Sequence, residues 1–151
     1  MAKSSVYKLF GTEKALEKTG IWINYGDVKF LVARAGGSNI AYAESLKARI
    51  RPVRHQLERD LLSVEDDLRI NAEVYADSII KDVQVRTSED GAAEEVWEHG
   101  IPSEDGKVLP YSKAALIELL TGLPDMFRDI QQCSRDSARY LKEHEEADEK
   151  N

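Results

Sequence analysis

The sequence predicts an α+β fold that is mainly helical, an N-terminal β-hairpin packed on about four helices. Three observations predict it. The first is a change of hydrophobic period at Gly36-Gly37. Val28, Phe30, Leu31, Val32 and Ala33 read as an extended, buried run, whereas Ala43, Leu46, Ile50, Val53 and Leu57 recur at three- and four-residue steps. The second is a set of helix-start signals at Ser38 or Asn39, at Ser63 and at Ser112. The third is a pair of short apolar runs around Gly26-Asp27, the sign of a hairpin turn.

A chain of 151 residues supports one domain with a real core and is short for two. No window approaches the roughly 18–20 apolar residues that a bilayer span needs, and the first residues lack an apolar run of signal-peptide length. A cytosolic protein that contacts no membrane is therefore expected. The single Cys133 cannot form an internal disulfide, which suits a reducing compartment. Net charge is −7 but uneven. Residues 1–60 hold 11 basic and 6 acidic side chains, and residues 61–151 hold 10 and 22. Excess acid argues against general nucleic-acid binding, since affinity for a polyanion comes from cations that neutralise phosphates. The split also suggests a basic and an acidic surface that meet within a subunit or through self-association.

In chain order, residues 1–19 form a partly ordered arm with Tyr7, Leu9 and Phe10 as anchors. A helical turn at Thr12–Lys18 comes next, with Thr12 as its cap. Ile21–Ala33 reads as the hairpin, and because an isolated hairpin is marginal in water, helices, another strand or another subunit must complete it. Gly36-Gly37 turns the chain sharply, with Ser38 or Asn39 capping the next helix. This first long helix is placed at 39–62, kinked but not stopped by Pro52. Its outer face carries Lys47, Arg49, Arg51, Arg54 and Arg59. A capping box at Ser63–Asp66 starts a second helix over 64–81, and Val83–Val85 is extended. Residues 86–108 read as an acidic loop or a short hairpin insertion, with Val96-Trp97 an apolar island. Two more helices span 113–121 and 124–142, the latter with Pro124 at its first position. Residues 20–142 are expected to form the single globular domain, and 143–151 a disordered acidic tail.

Nothing in the sequence supports an enzyme. His55, His99 and His144 are far apart and make no zinc spacing with Cys133. Gly36-Gly37 lacks the downstream glycines and lysine of a phosphate loop. No serine sits in a nucleophile-elbow context. No catalytic, metal or cofactor-binding residue is therefore assigned, and no cofactor is expected.

Two motifs together carry a resemblance. The first is Gly20-Ile21-Trp22-Ile23-Asn24-Tyr25 with Val32-Ala33-Arg34-Ala35-Gly36-Gly37-Ser38-Asn39 and Tyr42-Ala43. The second is Leu109-Pro110-Tyr111-Ser112, a leucine-rich helix, then Leu123-Pro124-Asp125-Met126-Phe127-Arg128-Asp129-Ile130. Over residues 18–140 the chain resembles the tail assembly chaperones of long-tailed bacteriophages and prophages, departing from their pattern at 86–104, where the link before Leu109 is lengthened. The resemblance implies a non-enzymatic helper that binds the tape-measure protein, keeps it soluble and gives way as tail-tube protein polymerises around it. It also implies residence in the host cytoplasm and absence from the mature virion. The alternative is a structural tail-completion or connector protein retained in the particle. A small regulatory binding protein is a third reading, for which only the acidic surface argues. Candidate partner-binding residues are Trp22, Tyr25, Arg34, Tyr42, Lys47, Arg51, Arg54, Tyr111 and Phe127, with Gly36, Gly37 and Asn39 as a structural corner.

Overall fold

A computed structural model describes residues 5–141. The acidic tail expected at 143–151 and residues 1–4 of the arm lie outside the described residues. The chain runs through α1 (Ser5–Phe10), α2 (Lys14–Thr19), β1 (Ile21–Asn24), β2 (Val28–Val32), α3 (Ile40–Ile50), α4 (Arg54–Glu58), α5 (Val64–Ser78) and β3 (Ile80–Arg86). It continues through β4 (Trp97–His99), β5 (Ile101–Pro102), β6 (Val108–Leu109), α6 (Lys113–Gly122) and α7 (Pro124–Arg135). The expected fold class is found: mixed α+β, mainly helical.

The β1–β2 hairpin is one half of a four-stranded antiparallel sheet of order β1-β2-β3-β4. Chain from within the same subunit thus supplies the missing strands. Ile23, Phe30, Val32 and Val83 point to one face, where they meet Ala72, Tyr75 and Ile79 from α5 and its end, Leu116, Ile117 and Leu120 from α6, and Phe127, Ile130 and Cys133 from α7. Strand alternation sends the residues between them to the other face. There Trp22 and His99 are exposed and Lys29, Leu31, Gln84 and Trp97 are half-buried.

Several boundaries differ from the sequence reading, each for a local reason. The second long helix ends at Ser78, not near residue 81, because Ile79 and Ile80 are buried and β-branched and Ile80 begins the strand paired with β2. The first long helix is interrupted, not merely kinked. Pro52 lies in a 3-10 turn, Arg51–Val53, and the helical course ends at Glu58 instead of near 62. The last helix ends at Arg135 and gives way to a 3-10 turn at Ser137–Tyr140. Thr12 does not cap α2; Glu13 does, accepting from the Ala15 amide. Asn39 stands at the start of α3 without a side-chain cap bond. Ser63 and Ser112 do cap α5 and α6, accepting from the Asp66 and Ala115 amides at 3.0 Å each.

The stretch 86–108 alternates loop and short strand, with residues 87–96 and 103–107 in turns and loop. Trp97–His99 is an edge strand on β3, and β5 and β6 form a separate two-stranded hairpin.

Candidate functional site

The corner at Gly36-Gly37 is assembled around a buried carboxylate. Glu17, 2% exposed, accepts from the Arg34 guanidinium at 2.5 Å, from the Thr12 hydroxyl at 2.9 Å, and from the amide and hydroxyl of Ser38 at 3.4 and 3.3 Å. Burial opposes ionisation of Glu17, but the Arg34 and Thr12 hydrogen bonds outweigh it and hold the carboxyl below its ordinary range. Gly37 has φ +53°, and a Cβ there would fall 1.8 Å from a Glu17 oxygen. Gly36 has φ +131° and faces open space. Asn39 is buried and donates to the carbonyls of Arg34 (2.9 Å) and Ser78 (3.1 Å), tying the corner to the end of α5. Arg34 and the three corner residues therefore set the direction in which α3 leaves the sheet to lie against α5.

The limb beyond the corner, α3 and α4, packs through α3 against α5. Arg49 reaches α5, donating to Asp77 at 3.0 and 3.1 Å and to Glu73 at 2.9 Å. Ser45 donates to Asp77 at 2.8 Å, and Lys113 pairs with the same carboxylate. Burial opposes the charge on Asp77, but these donors pull its pKa down to about 2. Tyr42 packs edge-on against Tyr75, 6.2 Å between ring centres. No residue of α3 or α4 is fully buried. Lys47, Arg51 and Arg54 are exposed, as are Ile40 and Leu57 on the limb and Leu61 and Val64 after it, Leu61 69% exposed.

A concave surface is built from both halves of the chain. A groove of about 730 Å³ opens between the β1–β2 turn, the β5–β6 hairpin and the α6–α7 corner. Tyr25, Val28, Leu119, Leu123 and Met126 supply its apolar lining, and Asp27, Glu104 and Glu118 its charge. The Tyr25 hydroxyl donates to Asp129 at 2.5 Å, so burial and the adjacent carboxylate both push its ionisation up. Groups so arranged offer apolar contact and fixed charge to a partner. Among the described residues, no group of three or more His, Cys, Asp or Glu stands close enough to hold a metal ion.

The candidate partner-binding residues do not share one setting. Lys47, Arg51 and Arg54 share the limb, Tyr25 lies in the groove and Trp22 on the sheet's outer face. Tyr111 is half-buried and stacks on His99, 4.8 Å between ring centres. Phe127 is a core residue, 1% exposed, with its ring 5.1 Å from that of Tyr75. Arg34 and Tyr42 are held by internal contacts. The sequence reading did not single out Glu17, nor Lys29, whose ammonium lies 4.8 Å from the Trp22 ring centre and 4.4 Å from that of Trp97. Nothing local marks Glu17 among the charged residues of α2. Alternation along the strands put Trp22 and Lys29 on the same face, but not Trp97 against them.

No helix among the described residues is long and apolar enough to cross a membrane. A family model described as YdaY prophage protein matches residues 36–151, more than three quarters of the chain and all of it from the corner onward. No curated protein and no solved structure matches the chain.

Proposed function

We propose a role in tail assembly from one premise: the chain belongs to the YdaY prophage protein family, and so is a phage protein. In this reading it is a non-catalytic tail assembly chaperone that binds the tape-measure protein in the host cytoplasm. It keeps that long helical client soluble and is displaced as the tail tube forms. One observation carries the reading furthest, the α3–α4 limb. Ile40 and Leu57 on the limb, with Leu61 and Val64 just after it in sequence, expose apolar side chains, and Lys47, Arg51 and Arg54 are exposed on the same limb, whose two α-helices contain no fully buried residue. Exposed apolar surface rimmed by charge marks a protein-binding face. An amphipathic client helix lays its stripe on such a face while the rim charges set orientation and rate. The motif resemblance through Leu109-Pro110-Tyr111-Ser112 and Leu123-Pro124-Asp125 supports the choice of client.

Co-expression tests it. The tape-measure protein of the same prophage is expected to be insoluble alone, and soluble and co-purifying with this chain. Purified mature particles are expected to lack the chain by mass spectrometry. Equal solubility in both cases, with no complex, removes the chaperone assignment. The chain's presence in finished particles moves it to a structural tail component.

A further inference from the structure

We infer that the acidic groove receives the Ser5–Phe10 helix of a second copy of this chain. That helix buries none of its residues, and Val6, Tyr7, Leu9 and Phe10 are 61–70% exposed. Four large apolar side chains in six residues are not left to water without a partner, and so short a helix has little stability of its own. The groove offers the complementary surface. Its lining includes the three carboxylates of Asp27, Glu104 and Glu118 and no lysine or arginine, whereas the inserting segment brings Lys8, with Lys14 just beyond it.

Geometry selects another subunit. The base of the segment is fixed beside the start of β1: Thr12 bridges Leu141, and the Glu13 amide donates to the Tyr140 carbonyl at 2.8 Å. The groove opens at the other end of the hairpin, at Tyr25–Val28. A six-residue helix spans about 9 Å, and four strand residues about 13 Å. In its own chain the helix stands clear of the groove, with every residue exposed. The α3–α4 limb does not supply the insert, because Arg49 holds it to α5. The interface joins two different patches, so two copies that exchange segments close a dimer, and one-way docking builds a longer assembly.

Sedimentation of the full chain tests the inference, independently of the client. Wild type is expected to self-associate, more weakly as salt rises. Tyr7→Asp with Phe10→Asp, and separately Glu118→Lys with Leu123→Lys, are each expected to weaken association roughly a hundredfold with unchanged circular dichroism. Mixing the two variants restores a complex, because one retains the groove and the other the segment. Arg51→Glu with Arg54→Glu leaves association as in wild type, which separates this contact from client binding. A wild-type chain that stays monomeric, a groove variant that assembles normally, or a mixture with no complex overturns the inference.

Discussion

The corner and the limb are adjacent in sequence and opposite in construction. At the corner Glu17 and Asn39 are buried and satisfied: one carboxylate takes donors from Thr12, Arg34 and Ser38, and Asn39 bridges two carbonyls. From Ile40 to Glu58 nothing is fully buried, and α3 lies against α5 with Arg49, Ser45 and the Tyr42 ring making its specific contacts. A buried network of that kind tolerates little change, because losing one member leaves another charged and dry. A limb with no fully buried residue tolerates surface change and keeps its outer face free. On the proposed function the first region serves stability and the second recognition, and substitutions can break that division.

The largest expected effect is at Gly37. Gly37→Val places a Cβ against the Glu17 carboxylate at a left-handed backbone position, and is expected to cost about 3–5 kcal/mol by chemical denaturation. Gly36→Val meets open space and bears the backbone strain alone, about 1–3 kcal/mol. Equal losses at the two glycines would mean that the Glu17 lock contributes nothing to the corner.

Acid comes next. Asp77 titrates near 3.8 when unfolded and is held at about 2 in the fold, and Glu17 is also held below its ordinary value. A depressed carboxylate stabilises above its unfolded pKa and loses that contribution as pH falls through its folded pKa. The Asp77 share, about 2 kcal/mol, is therefore present above about pH 4 and lost toward pH 2. Thermal melts of Asp77→Asn are expected to show a smaller drop across that window than wild type.

A smaller effect is expected in the acidic stretch. Removing residues 90–94 shortens the turn between β3 and β4 and is expected to cost less than about 1 kcal/mol. Removing Glu89–Glu98 costs more, since it takes out part of the edge strand and Trp97, which lies over Lys29.

The fold class was legible because hydrophobic period and caps are local. Ser63 and Ser112 cap in fact as their spacing suggests, and Gly36-Gly37 does divide strand from helix. What the sequence concealed was tertiary. Ile79-Ile80 continues the helical rhythm of α5, yet pairing with β2 makes Ile80 strand. Glu17 looks like any surface glutamate until Arg34 and Ser38 fold over it. The candidate site was legible in the same proportion. A row of basic residues at helical spacing pointed to the limb, whereas Phe127 and Tyr42, read from the same motifs, are drawn inward by Tyr75. The groove is lined by residues as distant in sequence as Tyr25 and Met126, and no window of sequence displays it.

The division between corner and limb is tested most directly by Arg51→Glu with Arg54→Glu. Both side chains are exposed and neither forms an ion pair among the described residues, so stability is expected to change by less than about 0.5 kcal/mol. Co-expression of this double variant with the tape-measure protein is the measurement. A folded variant that no longer keeps the client soluble, while wild type does, is the expected result. A double variant that solubilises the client as well as wild type would contradict the assignment of recognition to the limb.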